Sequence, residues 1–329
     1  MHQKLRLRNF TAFVDSTFEW TRGINVLVGP NATGKTHVLK TLYSLQYAAH
    51  RESSLTEKLM GSFKPDALGR LAHRQRGVAS AQMKAVWNGA TLRASFSSKQ
   101  REVESTGSWP DASIPVFIPV KDMLAHSKGF QSAYALRELD FDEIYNDILT
   151  LAFLPPLRGA PTGDRQRLLN LLGSQMNGRV FAKGERFYLR SSSGALEMPL
   201  VAEGLRKLAL LYLLIQNGSL SDATVLFWDE PEANLNPSTL EHVVGILIAL
   251  AKMGVQIFLA THSFIVLKEL ELQIGATDPL RIFGLEKEKS GGIRVQTVDR
   301  YADLSPNPIE DEFLRIYDLE VKRAIEGRS

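Results

Sequence analysis

Three short, nearly continuous apolar runs punctuate the chain: Ile24–Val28, Val225–Trp228 and Val255–Ala260. Continuity without alternation predicts strands buried on both faces of a parallel sheet. "SIPVFIPV" (113–120) and residues 280–285 add two more strands. By contrast, "KLRLRNF" and "STFEW" near the N-terminus alternate apolar and polar residues, which predicts half-exposed antiparallel strands. "AQMKAVWNGATLRASFSS" (81–98) predicts a hairpin turning at Asn88–Gly89, and residues 179–200 predict a strand pair. Helical spacing takes over elsewhere. It predicts a helix from Thr36 to about Tyr47, with Val38, Leu39, Leu42 and Leu45 on one side. Residues 130–178 read as mainly helical, interrupted by "LPPLRGAPTG". Further helices are predicted from Glu203 to Asn217, from about Pro237, and in "IEDEFLRIYDLEVKRAIE".

Composition narrows the classes. At 329 residues and 44% hydrophobic, the chain can build one large α/β domain or two small ones. It contains no cysteine, which excludes disulfides, cysteine-ligated metals and thiol catalysis and fits a reducing cytoplasm. The alternating charge of Met1–Phe10 predicts no signal peptide there, and "LALLYLLIQ" (208–216) is too short for a membrane span. A net charge of +3 leaves room for a local basic surface. The densest is "LGRLAHRQRG" (68–77), in a basic stretch covering residues 50–80. There is no internal repeat and no low-complexity linker.

Candidate chemistry begins where the first apolar run stops. Gly29, Gly34, Lys35 and Thr36 fit G-x-x-x-x-G-K-[ST] without a mismatch. The glycines let the backbone turn so that successive N–H groups converge on an anion, and the following helix adds its positive end. Lys35 can reach the β/γ oxygens of a nucleotide, and the Thr36 hydroxyl can ligate Mg²⁺. An ordinary strand–turn–helix is the plain alternative, but the flanking strand and helix sit where a phosphate loop needs them.

Two further strand ends carry polar chemistry. Asp229 and Glu230 follow Val225–Trp228, at the carboxyl end of a buried strand, where ligands of such sheets bind. Asp229 is placed to hold Mg²⁺ through its water shell, and Glu230 to accept a proton from an attacking water. "VQIFLATHSF" (255–264) ends in Thr261, His262 and Ser263. A neutral His262 at that position can hydrogen-bond a γ-phosphate or the water.

In this order and spacing the motifs resemble the ABC-type ATPases. The branch they resemble is shared by SMC and RecF-like repair proteins and the OLD-like ATPases of bacterial genome defence. "LRLRNFTAFVDSTFEWTRGINVLVGPNATGKT" is similar to the N-terminal lobe of that branch. The resemblance implies a P-loop NTPase of α/β class. Its ABC-type head would have a mostly parallel core sheet, an N-terminal antiparallel β-lobe and a helical insertion. A single head would span residues 1–329, with insertions at 50–80 and 121–178 and a C-terminal helix at 305–329. Gly29, Pro30, Asn31, Ala32, Thr33, Gly34, Lys35, Thr36 and His37 fall on the Walker A loop. Val225–Glu230 falls on the Walker B strand with its catalytic glutamate, and His262 on the switch histidine.

Other family features carry over unevenly. Asn234–Asn236 falls on the D-loop, with Asn236 in place of the usual aspartate. "VAEGLRKLALL" (201–211) falls where the signature helix begins, and Ala202 stands in the place of the signature serine. Glu203, Gly204, the helix N-terminus and Arg206 are left to contact a nucleotide held by a second subunit. Lys121–Asp122 occupy the Q-loop position without its glutamine. Phe10 or Phe13 is the candidate A-loop aromatic.

Several functions follow from the resemblance. The foremost is a cytoplasmic ATPase that uses ATP and Mg²⁺ and forms a homodimer or higher homo-oligomer. It would act with a separate effector, such as a nuclease, in antiphage defence or DNA repair. No long heptad run provides coiled-coil arms, and the 67 residues after His262 are too few for a toprim nuclease domain. DNA is a candidate partner through Arg70, His73, Arg74 and Arg76. The alternatives are a transporter's nucleotide-binding subunit, disfavoured by the missing glutamine, and a scaffold that senses ATP without hydrolysing it.

Overall fold

Burial on both faces makes the central sheet, and the sheet positions everything else. The computed structural model describes residues 1–73, 77–137, 139–161, 163–289 and 291–325. The chain opens with β1 (His2–Phe10), β2 (Phe13–Glu19) and β3 (Ile24–Val28), followed by α1 (Lys35–Arg51) and α2 (Leu55–Phe63). Next come β4 (Ser80–Trp87), β5 (Ala90–Ser97), the short β6 (Glu104–Thr106) and β7 (Pro115–Ile118). The helices α3 (Phe130–Leu136), α4 (Glu143–Ala152) and α5 (Gly163–Gln175) precede a meander of β8 (Arg179–Lys183), β9 (Arg186–Ser191) and β10 (Gly194–Glu197).

The last third alternates helices and strands. In order these are α6 (Glu203–Gln216), β11 (Val225–Asp229), α7 (Pro237–Lys252), β12 (Gln256–Thr261) and α8 (Phe264–Gln273). They are followed by β13 (Leu280–Lys287), β14 (Ile293–Val298) and α9 (Pro308–Ile325).

The six-stranded sheet runs β14-β13-β3-β12-β11-β7. All its neighbours pair in parallel except β14, which is antiparallel to β13 at the edge. Side chains leave each strand for two separate cores, as a period of two requires. Val26, Val28, Leu226 and Trp228 join the core beneath α6 and α7. Leu27, Phe227, Phe258 and Phe283 join the core shared with α1 and the β-lobe. That lobe is the antiparallel sheet β2-β1-β4-β5-β6. The fold is therefore the α/β head with a mostly parallel core and an N-terminal antiparallel lobe that the sequence led us to expect.

Four local expectations change. Residues 179–200 form three strands, because Gly194–Glu197 returns antiparallel to β9. Neither α8, β14 nor the edge strand β6 was legible. The basic stretch at 50–80 contains α2, whose Lys58 is buried between Asp147 at 2.5 Å and the Tyr47 ring at 3.4 Å. That lysine clamps α2 and α4 onto the helix after the phosphate loop. Of the basic residues there, Arg70 is exposed and the His73 ring is bonded to the Thr11 carbonyl at 2.8 Å. Arg74 and Arg76 lie outside the described residues. Phe10 and Phe13 are both fully buried, so each is a core residue rather than a ring offered to a base.

Candidate nucleotide-binding site

Three strands end in register on one edge. Thr261 pairs with Val28, and Asp229 with Ala260, so β3, β12 and β11 deliver their carboxyl ends together. Past Val28 the backbone takes positive φ at Gly29 (151°), Ala32 (63°) and Gly34 (90°). A Cβ on Gly29 would overlap the Leu285 carbonyl of β13, and one on Gly34 would lie 2.9 Å from the Phe13 ring. The two glycines are thus demanded by space as well as by φ. Thr33 Oγ1 donates to the Pro30 carbonyl at 2.9 Å, while Asn31 and Ala32 form the exposed tip.

Lys35 folds back over this turn. Its Nζ donates to the carbonyls of Gly29 (2.7 Å) and Pro30 (3.0 Å). Burial lowers its pKa, against the opposing pull of Glu230, Asp229 and Glu232. A buried ammonium satisfied only by two neutral carbonyls has a stronger partner in a phosphate. One residue on, Thr36 Oγ1 donates to both carboxylate oxygens of Asp229, at 3.1 and 3.0 Å. Burial lifts the Asp229 carboxyl to about 6, eased by the Thr36 hydroxyl and reinforced by the charge of Glu230. Among the described residues no group of three or more His, Cys, Asp or Glu could hold a metal by itself. A hydroxyl beside one carboxylate fits Mg²⁺, which keeps waters and takes phosphate oxygens for the rest of its shell.

Glu230 is held in an unusual backbone. Its φ is 48°, its N–H donates to the Ala260 carbonyl at 2.8 Å, and its own carbonyl accepts from Lys207 Nζ at 3.2 Å. Left-handed strain in a non-glycine residue costs on the order of 1–3 kcal/mol and gathers at functional sites. Its side chain lies 3.4 Å from His262 Nδ1.

Sequence reasoning missed two residues here. Glu232 accepts from Thr261 Oγ1 at 2.7 Å and from the His262 N–H at 3.1 Å, pinning the end of β12. Its signal was the second glutamate of "DEPE". Lys207 is buried, and burial lowers its pKa against Glu232, Glu203 and Glu230. Its signal was a lysine inside the apolar run of α6.

The remaining candidates gather elsewhere. Ala202 is the N-cap of α6 and gives no side-chain hydrogen bond. Glu203 accepts from Asn234 Nδ2 at 2.9 Å, and Gly204 packs on the Asn234 carbonyl. Asn236 caps α7 by accepting from the Ser238 N–H at 3.0 Å. The His37 ring turns to Phe63 on α2, with 5.6 Å between ring centres. Arg206 is not free: it pairs with buried Asp122 at 3.1 Å. Asp122 also caps the backbone N–H groups of Leu124 and Ala125. Arg206 thus meets the Q-loop position within its own chain.

A phosphate loop on β3, with the paired ends of β11 and β12 beside it, defines a P-loop nucleotide-binding protein of ABC type. The profile of the family described as "AAA domain, putative AbiEii toxin, Type IV TA system" matches residues 24–268, and the chain belongs to that family. Similar curated proteins include "DNA replication and repair protein RecF" of Ligilactobacillus salivarius (strain UCC118), 39% identical over 66 residues. RecF of Pediococcus pentosaceus is 45% identical over 51 residues. These matches cover 20% and 15% of this chain but only 17% and 14% of those proteins.

Among solved structures, an SMC head bound to the C-winged helix domain of ScpA aligns at TM-score 0.60 and 11% identity. That alignment covers 92% of this chain and 98% of the other. The SMC head domain from Thermotoga maritima aligns at TM-score 0.51 and 15% identity, over 90% and 98%. At such identities the likeness is one of fold. No helix among the described residues is long and apolar enough to cross a membrane.

Proposed function

We propose that this chain is an ATPase that binds ATP with Mg²⁺ at Gly29–Thr36 and Asp229, and hydrolyses it with Glu230 and His262. The observation carrying the proposal is the joint placement of Thr36 against Asp229 and of Glu230 against His262 on one sheet edge. Bound Mg²⁺ would neutralise charge on the phosphates. Lys35 leaves its two carbonyls for the phosphate oxygens, and the N–H groups of the loop orient them. Glu230 takes the proton of the attacking water, and His262 holds the carboxylate or the phosphate in place. Glu232 fixes the histidine, and Lys207 fixes the backbone of Glu230.

The His262 side chain is half exposed, and in this reading a second copy's α6 N-terminus covers the site, giving a homodimer or higher homo-oligomer around ATP. The hydrolytic cycle then drives a separate effector, a nuclease foremost, in DNA repair or antiphage defence in the cytoplasm, with DNA as a further partner. The RecF name and the SMC head caught with ScpA support a repair setting and a partner protein. A second reading, an ATP-sensing scaffold with little turnover, is favoured by the uncapped Ala202. Phosphate release measured with and without DNA separates the two. Turnover that is lost in Glu230→Gln supports the ATPase. No release above background from the wild type, with ATP still bound, leaves the scaffold.

A further inference from the structure

The outermost element of the head is built to be covered. Among the described residues, α9 meets the body through its first turns: Phe313 stacks on Phe264 with ring centres 4.3 Å apart, and Glu310 pairs with Lys268 at 3.2 Å. From Asp311 to Ile325 every residue is exposed. Exposure here is not polar. Leu314, Tyr317, Val321 and Ile325 recur at helical spacing on one face, each between 38% and 80% exposed. Asp311, Arg315, Asp318 and Lys322 form a charged stripe along the flank of that face, with Ile316 and Leu319 on the far side. A lone helix of this length is marginal in water, and burial of its apolar face is what normally holds one.

Charge says which partner fits. The first turn is acidic, with Glu310 and Asp311, and the last turn is basic, with Lys322 and Arg323. An antiparallel pair of α9 helices sets each acidic start beside a basic end and opposes the helix dipoles. A parallel pair would set like turns together. We propose that α9 is a dimerisation helix that pairs antiparallel with α9 of a second copy, about a two-fold axis near its middle, without nucleotide. Such an interface is self-complementary, as a two-fold requires. It is distinct from the ATP-driven closure over Gly29–Thr36 and does not rest on it.

Light scattering of the full chain without nucleotide, at tens of micromolar, is the first test. The expected mass is twice 36.7 kDa. Leu314→Glu, Tyr317→Glu and Val321→Glu combined should halve it, with the helical circular dichroism of the body and ATP binding retained. The chain has no cysteine, so introduced ones report geometry. Asp311→Cys mixed with Lys322→Cys, on the same flank of the apolar face, should cross-link on oxidation, and neither alone should.

A wild type that is monomeric without nucleotide overturns the proposal, whether it floats with phosphatidylglycerol vesicles or not. So does a triple variant that stays dimeric, and so does cross-linking of each single cysteine with itself. Adding Glu230→Gln and ATP to the triple variant tests the shared active site separately. Failure to dimerise there counts against that closure and leaves the α9 pairing standing.

Discussion

The two halves of the expected shared site are built on opposite principles. The loop half, Gly29–Thr36 with Asp229 and Glu230, sits on strand ends whose side chains are locked into two cores. It carries a buried lysine bonded to carbonyls and a buried carboxyl lifted to about 6. Its groups are held in states that a ligand would improve. The helix half, at the start of α6, has most of its polar groups paired within the chain: Glu203 on Asn234 and Arg206 on Asp122, though Arg206 Nε has no hydrogen-bond partner, and Ala202 supplies no hydroxyl. One half stores unmet demand; the other has little left to give. In the proposed shared site, the difference makes binding and closure separable, with closure expected to be the weaker of the two.

The largest effect tests the loop half. Glu230→Gln should lower turnover by roughly 10²–10⁴-fold while ATP still binds, since the amide takes no proton. Hydrolysis at the wild-type rate would move the chemistry to another residue. Asp229 comes next. Its folded pKa is raised from 3.8 to about 6, so the folded protein holds the proton more tightly. The resulting stabilisation is full below about 3.8 and gone above about 6. At neutral pH the buried charge therefore costs up to about 3 kcal/mol.

Asp229→Asn should accordingly raise the metal-free melting temperature at pH 7, change it little at pH 4, and abolish the Mg²⁺ dependence of ATP binding. A lower melting temperature at pH 7 would show that the Thr36 bond outweighs burial. Lys35→Ala should weaken ATP by roughly 10–100-fold, the worth of a charge-assisted contact of about 1.5–3 kcal/mol. Calorimetry reads this directly, and unchanged affinity would remove Lys35 from the site.

The smallest effect belongs to the helix half. Ala202→Ser restores a side-chain cap to α6, worth about 0.5–2 kcal/mol. It should raise thermal stability slightly and make the Glu230→Gln dimer with ATP more persistent. A gain in stability without a gain in persistence would place the α6 N-terminus outside the closed interface.

The sequence was most legible where one physical demand decides a segment. Continuous burial marked β3, β11 and β12, and the glycine spacing marked the turn that a Cβ would obstruct. Alternation marked the β-lobe, and Asn88–Gly89 its hairpin. Legibility failed where a residue is defined by a distant partner. Lys207 reaches Glu230 from another element, Glu232 reaches across to β12, and Arg206 is claimed by Asp122 from a segment far earlier. β14 failed for another reason: its burial pattern mixes exposed and half-buried positions, as befits an edge strand.

Gly29 abuts the Leu285 carbonyl, and the neighbouring Gly284 is where the Leu304 side chain lodges, just ahead of α9. The turn for the phosphate and the segment leading into α9 thus both pack on β13, with no room for a side chain at either glycine. Under the proposed pairing, a load on α9 would reach the mouth of the loop through Leu304 and β13. Mechanical force applied at that helix should register as a change in how fast nucleotide leaves.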